Sequence, residues 1–327
     1  MPLETPQPRS TRLGRGPLTR REILFLSVAL LSLMVSLGTW HASSRLIDKK
    51  ETALPFKPLI TTLDQHNWHY EQHYPKLYIT PPIPESKAYR CPHKTLPQVK
   101  DNLQSQQGED VELISYFNGL CGGRYMELGA LDGKTFSNSW VFHTEFQWSG
   151  VLVELDESQY HKLMRHRLHE LFRTRAAICP TGQVIHYVTG HDAVNGVWEY
   201  ASAEFRQRWW PNVQGPEELE TLECVPLQDL LESQLQHIQD SANFGLFYFD
   251  FLSLDVEGSE WNVLQTINWD KTHFGVILVE APDNKGMERA AMITYLQRQG
   301  YRHVGEKNNS LWFLHGNFHE IYKTLLS

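Results

Sequence analysis

The sequence is poor in cysteine and lacks the motifs that closely spaced cysteines form. Its 327 residues include four cysteines, and no two of them make a C-x-x-C pair. Structural zinc sites and thioredoxin-like redox centres usually use such pairs, so the spacing argues against both. The pattern is compatible with two disulfides or with four buried thiols. The cellular compartment decides between these alternatives. The four cysteines are Cys91, Cys121, Cys179 and Cys224.

Other common features are also missing. The net charge is -8 and the isoelectric point is near 6.0, so nothing indicates a nucleic-acid partner. No G-x-G-x-x-G segment follows a strand-like run, which disfavours NAD or FAD as cofactor. Internal repeats, heptads and low-complexity tracts are absent as well. With 41% hydrophobic and 12% aromatic residues, the chain has the composition of a globular protein with a sizeable core.

The N-terminal region carries a candidate membrane anchor. Five arginines and one acid, Glu4, occupy residues 1–21, and Ile23–Trp40 then holds 18 consecutive uncharged residues. That length is near the lower limit for a membrane-spanning helix. A cleaved signal peptide is the main alternative, but the apolar run is long for one and no good cleavage site follows it. A buried helix of a soluble domain fits less well. We therefore predict a transmembrane signal-anchor at residues 22–40.

Charge flanking the anchor predicts its orientation. The arginines before the span keep a cytosolic basic tail at 1–21 and send residues 41–327 into the lumen. The protein is thus expected to be a single-pass type II membrane protein of the secretory pathway, in the Golgi or endoplasmic reticulum. Residues 41–105 form a predicted stem, because their proline density favours an extended tether. The globular domain is expected over residues 106–327.

Strand-like and helix-like segments alternate along this domain. Such alternation predicts βαβ units and a mostly parallel sheet covered by helices on both faces. Two further strand-like pieces at 300–316 suggest an antiparallel hairpin that closes the sheet edge. The strand-like runs are Arg124–Leu128, Val151–Glu154, Ala176–Cys179, Val184–Val188, Leu222–Val225, Phe251–Asp255 and Val276–Glu280, and the main helix-like stretches are 157–171, 227–239 and 259–268.

Two of the strand ends carry residues suited to a nucleoside ligand. The first strand runs into the turn Glu127-Leu128-Gly129-Ala130-Leu131-Asp132-Gly133, where glycine allows close approach of the backbone. Glu154 ends the next strand, where an acid in a Rossmann-like sheet accepts hydrogen bonds from ribose hydroxyls. An ordinary glycine turn is the alternative for the first motif taken alone. The two motifs together favour a cofactor site.

A third strand end is acidic. Asp255, Glu257 and Glu260 follow the run Phe251–Leu254 within six residues. Ligands of open α/β sheets bind outside the carboxyl ends of the strands, so this position suits a catalytic acid or base. The acids could instead only cap the next helix. Capping needs fewer carboxylates than are present, and Glu260 is the best candidate for that role.

Two stretches resemble the signature blocks of the FkbM methyltransferase family. They are YMELGALDGKTFSNSWVFHTEFQWSGVLVELD and DFLSLDVEGSEWNVL, and the match covers roughly residues 110–316. The resemblance implies a Rossmann-like class I fold with a seven-stranded sheet and S-adenosylmethionine as cofactor, in a membrane-anchored, eukaryotic-type member. Asp255 and Glu257 would face the transferring methyl group and act in catalysis. The implied cofactor-binding residues are Glu127, Gly129, Ala130, Asp132, Gly133 and Asn138 at the methionine and ribose end, and Glu154 on the ribose.

The cysteines and one asparagine bear on the compartment. Cys179 ends one predicted strand and Cys224 lies in another that should pair beside it, so we predict a Cys179–Cys224 disulfide. Cys91 and Cys121 are the remaining pair. Asn308 begins an Asn-Asn-Ser sequon in a predicted turn, and it is a glycosylation site only if the domain is luminal.

Two functions from different classes are compatible with these features. The first is an S-adenosylmethionine-dependent O-methyltransferase that acts on a hydroxyl of a luminal acceptor, such as a glycan or protein. The second is a non-catalytic luminal module that binds proteins or handles cargo on a methyltransferase fold. A retired enzyme should have lost acids from the cofactor turn or the strand end, and none is lost here. The sequence therefore favours the enzyme.

Overall fold

The computed structural model describes residue 91 and residues 96–190, 194–235, 246–281, 286–307 and 309–323. The predicted basic tail at 1–21, the anchor at 22–40, most of the stem and Asn308 lie outside these described residues. Within the described part of the chain, no helix is long and apolar enough to cross a membrane.

The described part of the chain contains eleven strands and nine α-helices. The strands are β1 Arg124–Leu128, β2 Ser149–Val153, β3 Phe172–Thr174, β4 Ala177–Ile178, β5 Val184–Val188, β6 Gly196–Val197, β7 Glu220–Val225, β8 Phe247–Leu254, β9 Thr272–Glu280, β10 Tyr301–Lys307 and β11 Ser310–His315. The helices are α1 Leu96–Val99, α2 Glu109–Phe117, α3 Trp140–Glu145, α4 Glu157–His166, α5 Ala203–Trp209, α6 Leu227–Gln234, α7 Glu260–Leu264, α8 Gly286–Arg298 and α9 Phe318–Ile321.

Seven strands form the central sheet in the order β10-β11-β9-β8-β1-β2-β3. The pairs from β9 to β3 are parallel, whereas β11 is antiparallel to β9 and to β10. The mostly parallel methyltransferase-like sheet and its closing hairpin are thus confirmed. Glu127 pairs with Leu152 on one side and with Ser253 on the other. Because β1, β2 and β8 run in the same direction, their carboxyl ends meet at one edge of the sheet.

Helices cover both faces of this sheet, as the alternation predicts. Along β9, Ile277 and Val279 pack into one apolar cluster, whereas Val276 and Leu278 pack into the other. The first cluster takes in side chains of α6, α7 and α8, and the second takes in side chains of α2, α3, α4 and α9. A strand that is buried on both faces needs an almost continuous apolar run, which is what the segment 274–279 provides.

The third strand of the central sheet differs from the prediction. Phe172–Thr174 occupies that position, while Ala177–Ile178 belongs to a separate four-stranded sheet with the order β4-β7-β5-β6. The sequence assigned the third strand to Ala176–Cys179 because that run is apolar, and it is indeed buried in the second sheet. The strand β3 is short, partly exposed and has a charged residue at its centre, so hydrophobicity does not mark it.

The folded domain begins before the predicted boundary at residue 106. Val99 is buried and packs in the same cluster as Leu113 and Phe117 of α2. Cys91 forms a disulfide with Cys121, with their Cα atoms 5.4 Å apart, and its backbone N–H donates to the carbonyl of Gly119. Residues 91 and 96–105, which the sequence assigned to the stem, therefore contribute to the domain.

The second disulfide joins Cys179 to Cys224, as predicted, with a Cα–Cα distance of 5.0 Å. Replacing both cysteines by alanine should lower the free energy of unfolding by about 4 kcal/mol, because the bond closes a loop of 45 residues in the unfolded chain. Urea denaturation without reductant measures this, and reducing the wild-type protein serves as the control. Four free thiols by non-reducing mass spectrometry would contradict both disulfides and the luminal topology with them.

Candidate active site

The turn after β1 crosses directly over the end of β8. The N–H groups of Gly129 and Ala130 both donate to the carbonyl of Val153, and the N–H of Asp255 donates to the carbonyl of Leu128. Gly129 has a φ of +80°, and a Cβ atom there would overlap the carbonyl oxygen of Asp255. Glycine is therefore required because two backbones touch. The sequence suggested that glycine is needed there so that a ligand can approach the backbone. In the structure it is the backbone of Asp255 that comes close.

Glu154 closes the same turn from the neighbouring strand. One carboxylate oxygen accepts from the N–H of Leu131 at 2.7 Å, and the other accepts from the N–H of Asp156 at 2.7 Å. The residue is 7% exposed, and burial raises the pKa of its carboxyl to about 7 even though these hydrogen bonds favour the charged form. A group in this state changes its charge within the physiological range.

Three carboxyl groups converge where β8 and β9 end. Ligand-capable oxygens of Asp255, Glu260 and Glu280 lie within 4.8 Å of one another. Asp255 is exposed to the cavity and Glu280 is partly buried, and desolvation by the surrounding protein raises the pKa of both carboxyl groups. The charge of Asp255 raises the pKa of Glu280 further. A side-chain hydrogen bond joins the two, so at neutral pH Glu280 keeps the proton and donates it to the Asp255 carboxylate.

Glu280 was missed by the sequence analysis, although a signal for it was present. It is the last residue of the buried strand Thr272–Glu280, the same position that singled out Glu154 and Asp255 in their strands. Glu260, in contrast, behaves as expected for a capping residue. It is 1% exposed, and one carboxylate oxygen accepts from the N–H groups of Val256 and Gly258 before α7.

Glu257 lies on the loop between Asp255 and α7 in an uncommon backbone conformation. Its φ is +53°, which is costly for a residue with a long side chain, and Gly258 follows with a φ of +103°. The Cβ of Glu257 lies close to Gly196 of the small sheet. The loop therefore turns back toward the small sheet and lines the cavity there.

Glu127 is occupied by an internal network. It is 4% exposed and accepts hydrogen bonds from the hydroxyls of Ser137 and Ser139 and from the N–H of Asn138. The guanidinium of Arg167 has no exposed surface and lies 3.8 Å from the same carboxylate. Arg167 also donates to both serine hydroxyls. Glu127 thus positions the loop 137–139, which the sequence did not anticipate.

Three other predicted cofactor residues shape the same loop. Asp132 accepts from the N–H groups of residues 134 and 135, which makes a tight turn, and the carbonyl of Gly133 accepts from Arg167. Asn138 donates to the hydroxyl of Ser253, while its Oδ1 is buried and has no hydrogen-bond partner. That oxygen can accept a hydrogen bond from a ligand amine or hydroxyl.

A cavity of about 620 Å³ opens at this edge of the sheet, a size typical of small-molecule sites. Five predicted site residues line it: Gly129, Ala130, Glu154, Asp255 and Glu257. Glu280 lines it as well. Glu127, Asp132 and Gly133 do not, and Asn138 lines a smaller adjoining space that also borders Asp255 and Glu280. The opposite wall comes from the segment 194–209 of the insertion between β3 and β8.

Arg167 should be essential for stability. Replacing it by methionine removes its hydrogen bonds to the loop and leaves Glu127 and Glu170 buried without their cation, which typically costs about 3–5 kcal/mol. Urea denaturation measures the loss, with Arg165→Met near the end of α4 as the exposed control. Lysine should not restore stability, because it lacks the planar fork of donors. A change below about 1 kcal/mol would show that the network is dispensable.

Comparison with known proteins agrees with this geometry. Residues 127–303, just over half of the chain, match the family model described as the Methyltransferase FkbM domain. Comparison with curated proteins gives no significant match.

Three methyltransferases are among the solved structures that match this chain. The FkbM methyltransferase from Methylobacillus flagellatus is 14% identical with a TM-score of 0.33, and the alignment covers 59% of this chain but only 44% of that one. Precorrin-6y C5,15-methyltransferase from Geobacter metallireducens is 9% identical over 66% of this chain and 93% of that one, with a TM-score of 0.32. An S-adenosylmethionine-dependent methyltransferase from Thiobacillus denitrificans, in complex with S-adenosylhomocysteine, is 9% identical over 73% and 82%, with a TM-score of 0.27. On the family match, the chain belongs to the FkbM methyltransferase family.

Proposed function

We propose that this protein transfers a methyl group from S-adenosylmethionine to a hydroxyl of a luminal acceptor, such as a glycan. The observation that carries the proposal is the single cavity of about 620 Å³, which joins the Gly129 turn, Glu154 and the carboxyl pair Asp255–Glu280. The residues proposed to bind the nucleoside and the carboxylate proposed to accept the proton thus line the same cavity. The family match supports methyl transfer, and the nature of the acceptor is our proposal.

The residues present fit the cofactor. Glu154 would accept hydrogen bonds from the ribose hydroxyls, while Val153 and Ile178 offer apolar contacts to the base within the same cavity. The buried Oδ1 of Asn138 would accept from the amino group of the methionine moiety. When bound, S-adenosylmethionine supplies a methyl group on a positively charged sulfur. The carboxylates that line the cavity favour a cation by simple electrostatics.

Asp255 is suited to receive the acceptor hydroxyl. Glu280 holds a proton and donates it to Asp255, so this carboxylate can stay ionised beside another acid. Desolvation in the acidic cluster raises the pKa of Asp255, which makes it a stronger base than a carboxylate with the ordinary pKa. Asp255 would orient the hydroxyl and take its proton as the methyl group transfers, while Glu257 completes the acidic wall.

The two disulfides support a luminal location for this activity. Disulfides persist in oxidising compartments and are rare in the cytosol. Together with the predicted anchor at 22–40, they agree with a type II membrane protein of the Golgi or endoplasmic reticulum. In that compartment a glycan or protein hydroxyl is an available acceptor, and we predict glycosylation at the Asn308 sequon.

The cofactor site is tested by calorimetry of residues 41–327 with S-adenosylmethionine and S-adenosylhomocysteine. Glu154→Gln should weaken both ligands roughly 10- to 100-fold, because charge-assisted hydrogen bonds are worth about 1.5–3 kcal/mol. Since the pKa of Glu154 is about 7 and the ionised form binds, wild-type affinity should rise about tenfold from pH 6 to pH 8 and level off above. This part of the pH dependence should vanish in Glu154→Gln.

A matched control separates this effect from a general change of charge. Glu157→Gln lies three residues further on, is exposed and does not line the cavity, so it should bind both ligands like the wild type. Equal affinity in the Glu154 variant would place the cofactor elsewhere. Failure of the wild-type protein to bind either ligand would favour the non-catalytic cargo module.

The catalytic carboxylates are tested by turnover with tritiated S-adenosylmethionine and a glycan library. Asp255→Asn and Glu257→Gln should each lower turnover about 10²- to 10⁴-fold while cofactor binding survives. Glu280→Gln should lower it less than tenfold, because an amide replaces the proton donor that Asp255 needs. Glu260→Gln should mainly reduce stability, through its lost charge at the loop N–H groups. Wild-type turnover in Asp255→Asn would remove this residue from the mechanism.

A further inference from the structure

One arginine stands out among the residues that line the cavity. The other charged lining residues are all acidic: Glu154, Glu204, Asp255, Glu257 and Glu280. Arg208, on α5, is the single cation among the described lining residues, and its side chain is exposed. No carboxylate in the described part of the chain forms an ion pair with it, despite the acids nearby. Its charge is therefore available to a ligand.

The guanidinium of Arg208 is held in place by its neighbour. It lies 4.6 Å from the ring centre of Trp209, a distance at which an arginine stacks on an indole. Stacking uses the face of the guanidinium and leaves its in-plane N–H donors available, and those donors match a carboxylate or a sulfate. Because the group is already oriented, binding an anion costs less conformational entropy.

Exposed aromatic side chains lie on two walls of the same cavity. Trp209 is 38% exposed on the insertion, and Phe136 is 47% exposed on the loop after β1. Phe136 also has a φ of +60°, which is rare for a bulky residue. Its neighbour Ser137 is fixed by Arg167 and Glu127, so the strained position is maintained. Aromatic faces held open in this way suit the apolar face of a sugar ring.

From these features we infer that the acceptor is an anionic saccharide, in which a carboxylate or sulfate binds Arg208 while a ring hydroxyl reaches Asp255. The inference rests on the proposed methyltransferase activity and names its substrate class. An entirely acidic cavity would favour neutral or cationic acceptors, and Arg208 reverses that preference at one wall. Arg208 lies on α5 and Asp255 follows β8, so the two groups belong to different walls of the cavity and one acceptor can meet both.

The test is methyl transfer from tritiated S-adenosylmethionine to a library of neutral, uronate-containing and sulfated oligosaccharides. Uronate-containing or sulfated members should be labelled in preference to neutral ones, and the pattern tells the two anions apart. With the best anionic acceptor, Arg208→Gln should raise KM about 10- to 100-fold and change kcat little, because a charge-assisted pair is lost in binding. Arg165→Gln, which removes an exposed charge outside the cavity, should match the wild type.

Neutral members labelled as strongly as anionic ones, or an unchanged KM in Arg208→Gln, would overturn the inference and leave the methyltransferase proposal intact. The inference would also be overturned if the protein bound the cofactor but transferred no methyl group to any anionic glycan. A loss of affinity for S-adenosylhomocysteine in Arg208→Gln would assign this residue to the cofactor carboxylate instead. Absence of cofactor binding in the wild-type protein would count against the proposed function itself.

Discussion

The buried guanidinium of Arg167 is the interaction on which the rest of the site depends. Its planar donors reach Gly133, Tyr125, Ser137, Ser139 and Glu170 at once, and Glu127 lies beside it. A buried charge is tolerated only when such partners surround it. The arrangement holds the loop after β1 against the sheet from behind. Gly129, Ala130 and Phe136 of the same loop take no part in the Arg167 network, and they line the cavity instead.

Parallel strands explain why so much acid collects in one place. Each of β2, β8 and β9 delivers the residue at its carboxyl end to the same edge, and in all three cases a carboxylate lies there or one residue beyond. Bringing several carboxylates together away from water would by itself be unfavourable. The structure reduces the cost by backbone N–H donors at Glu154 and Glu260 and by a shared proton between Asp255 and Glu280. The carboxyl groups consequently differ in protonation although they share one cavity.

Much of this architecture follows from local sequence. The runs Arg124–Leu128 and Val184–Val188 are strands with the predicted bounds, and Glu154 and Asp255 line the cavity as the strand-end rule predicts. The role of Glu127 was not predictable, because its partners in the loop and Arg167 meet only in the fold. Glu280 could have been found by the same rule as Glu154. The position of β3 was missed because Arg173 interrupts its apolar pattern, while the neighbouring run Ala176–Cys179 carries a stronger signal for a different sheet.

The Cys91–Cys121 disulfide sets where mechanical load enters the domain. Cys121 lies just before the amino end of β1, and the cavity opens at the carboxyl end of this strand, about 16 Å away for five residues. Any pull on the chain upstream of Cys91 therefore reaches the sheet through a covalent bond at the far edge. The glycine turn after β1 and the carboxylates lie at the other end of the strand, away from this disulfide. The covalent link at Cys91 and the mouth of the cavity therefore lie toward opposite ends of β1.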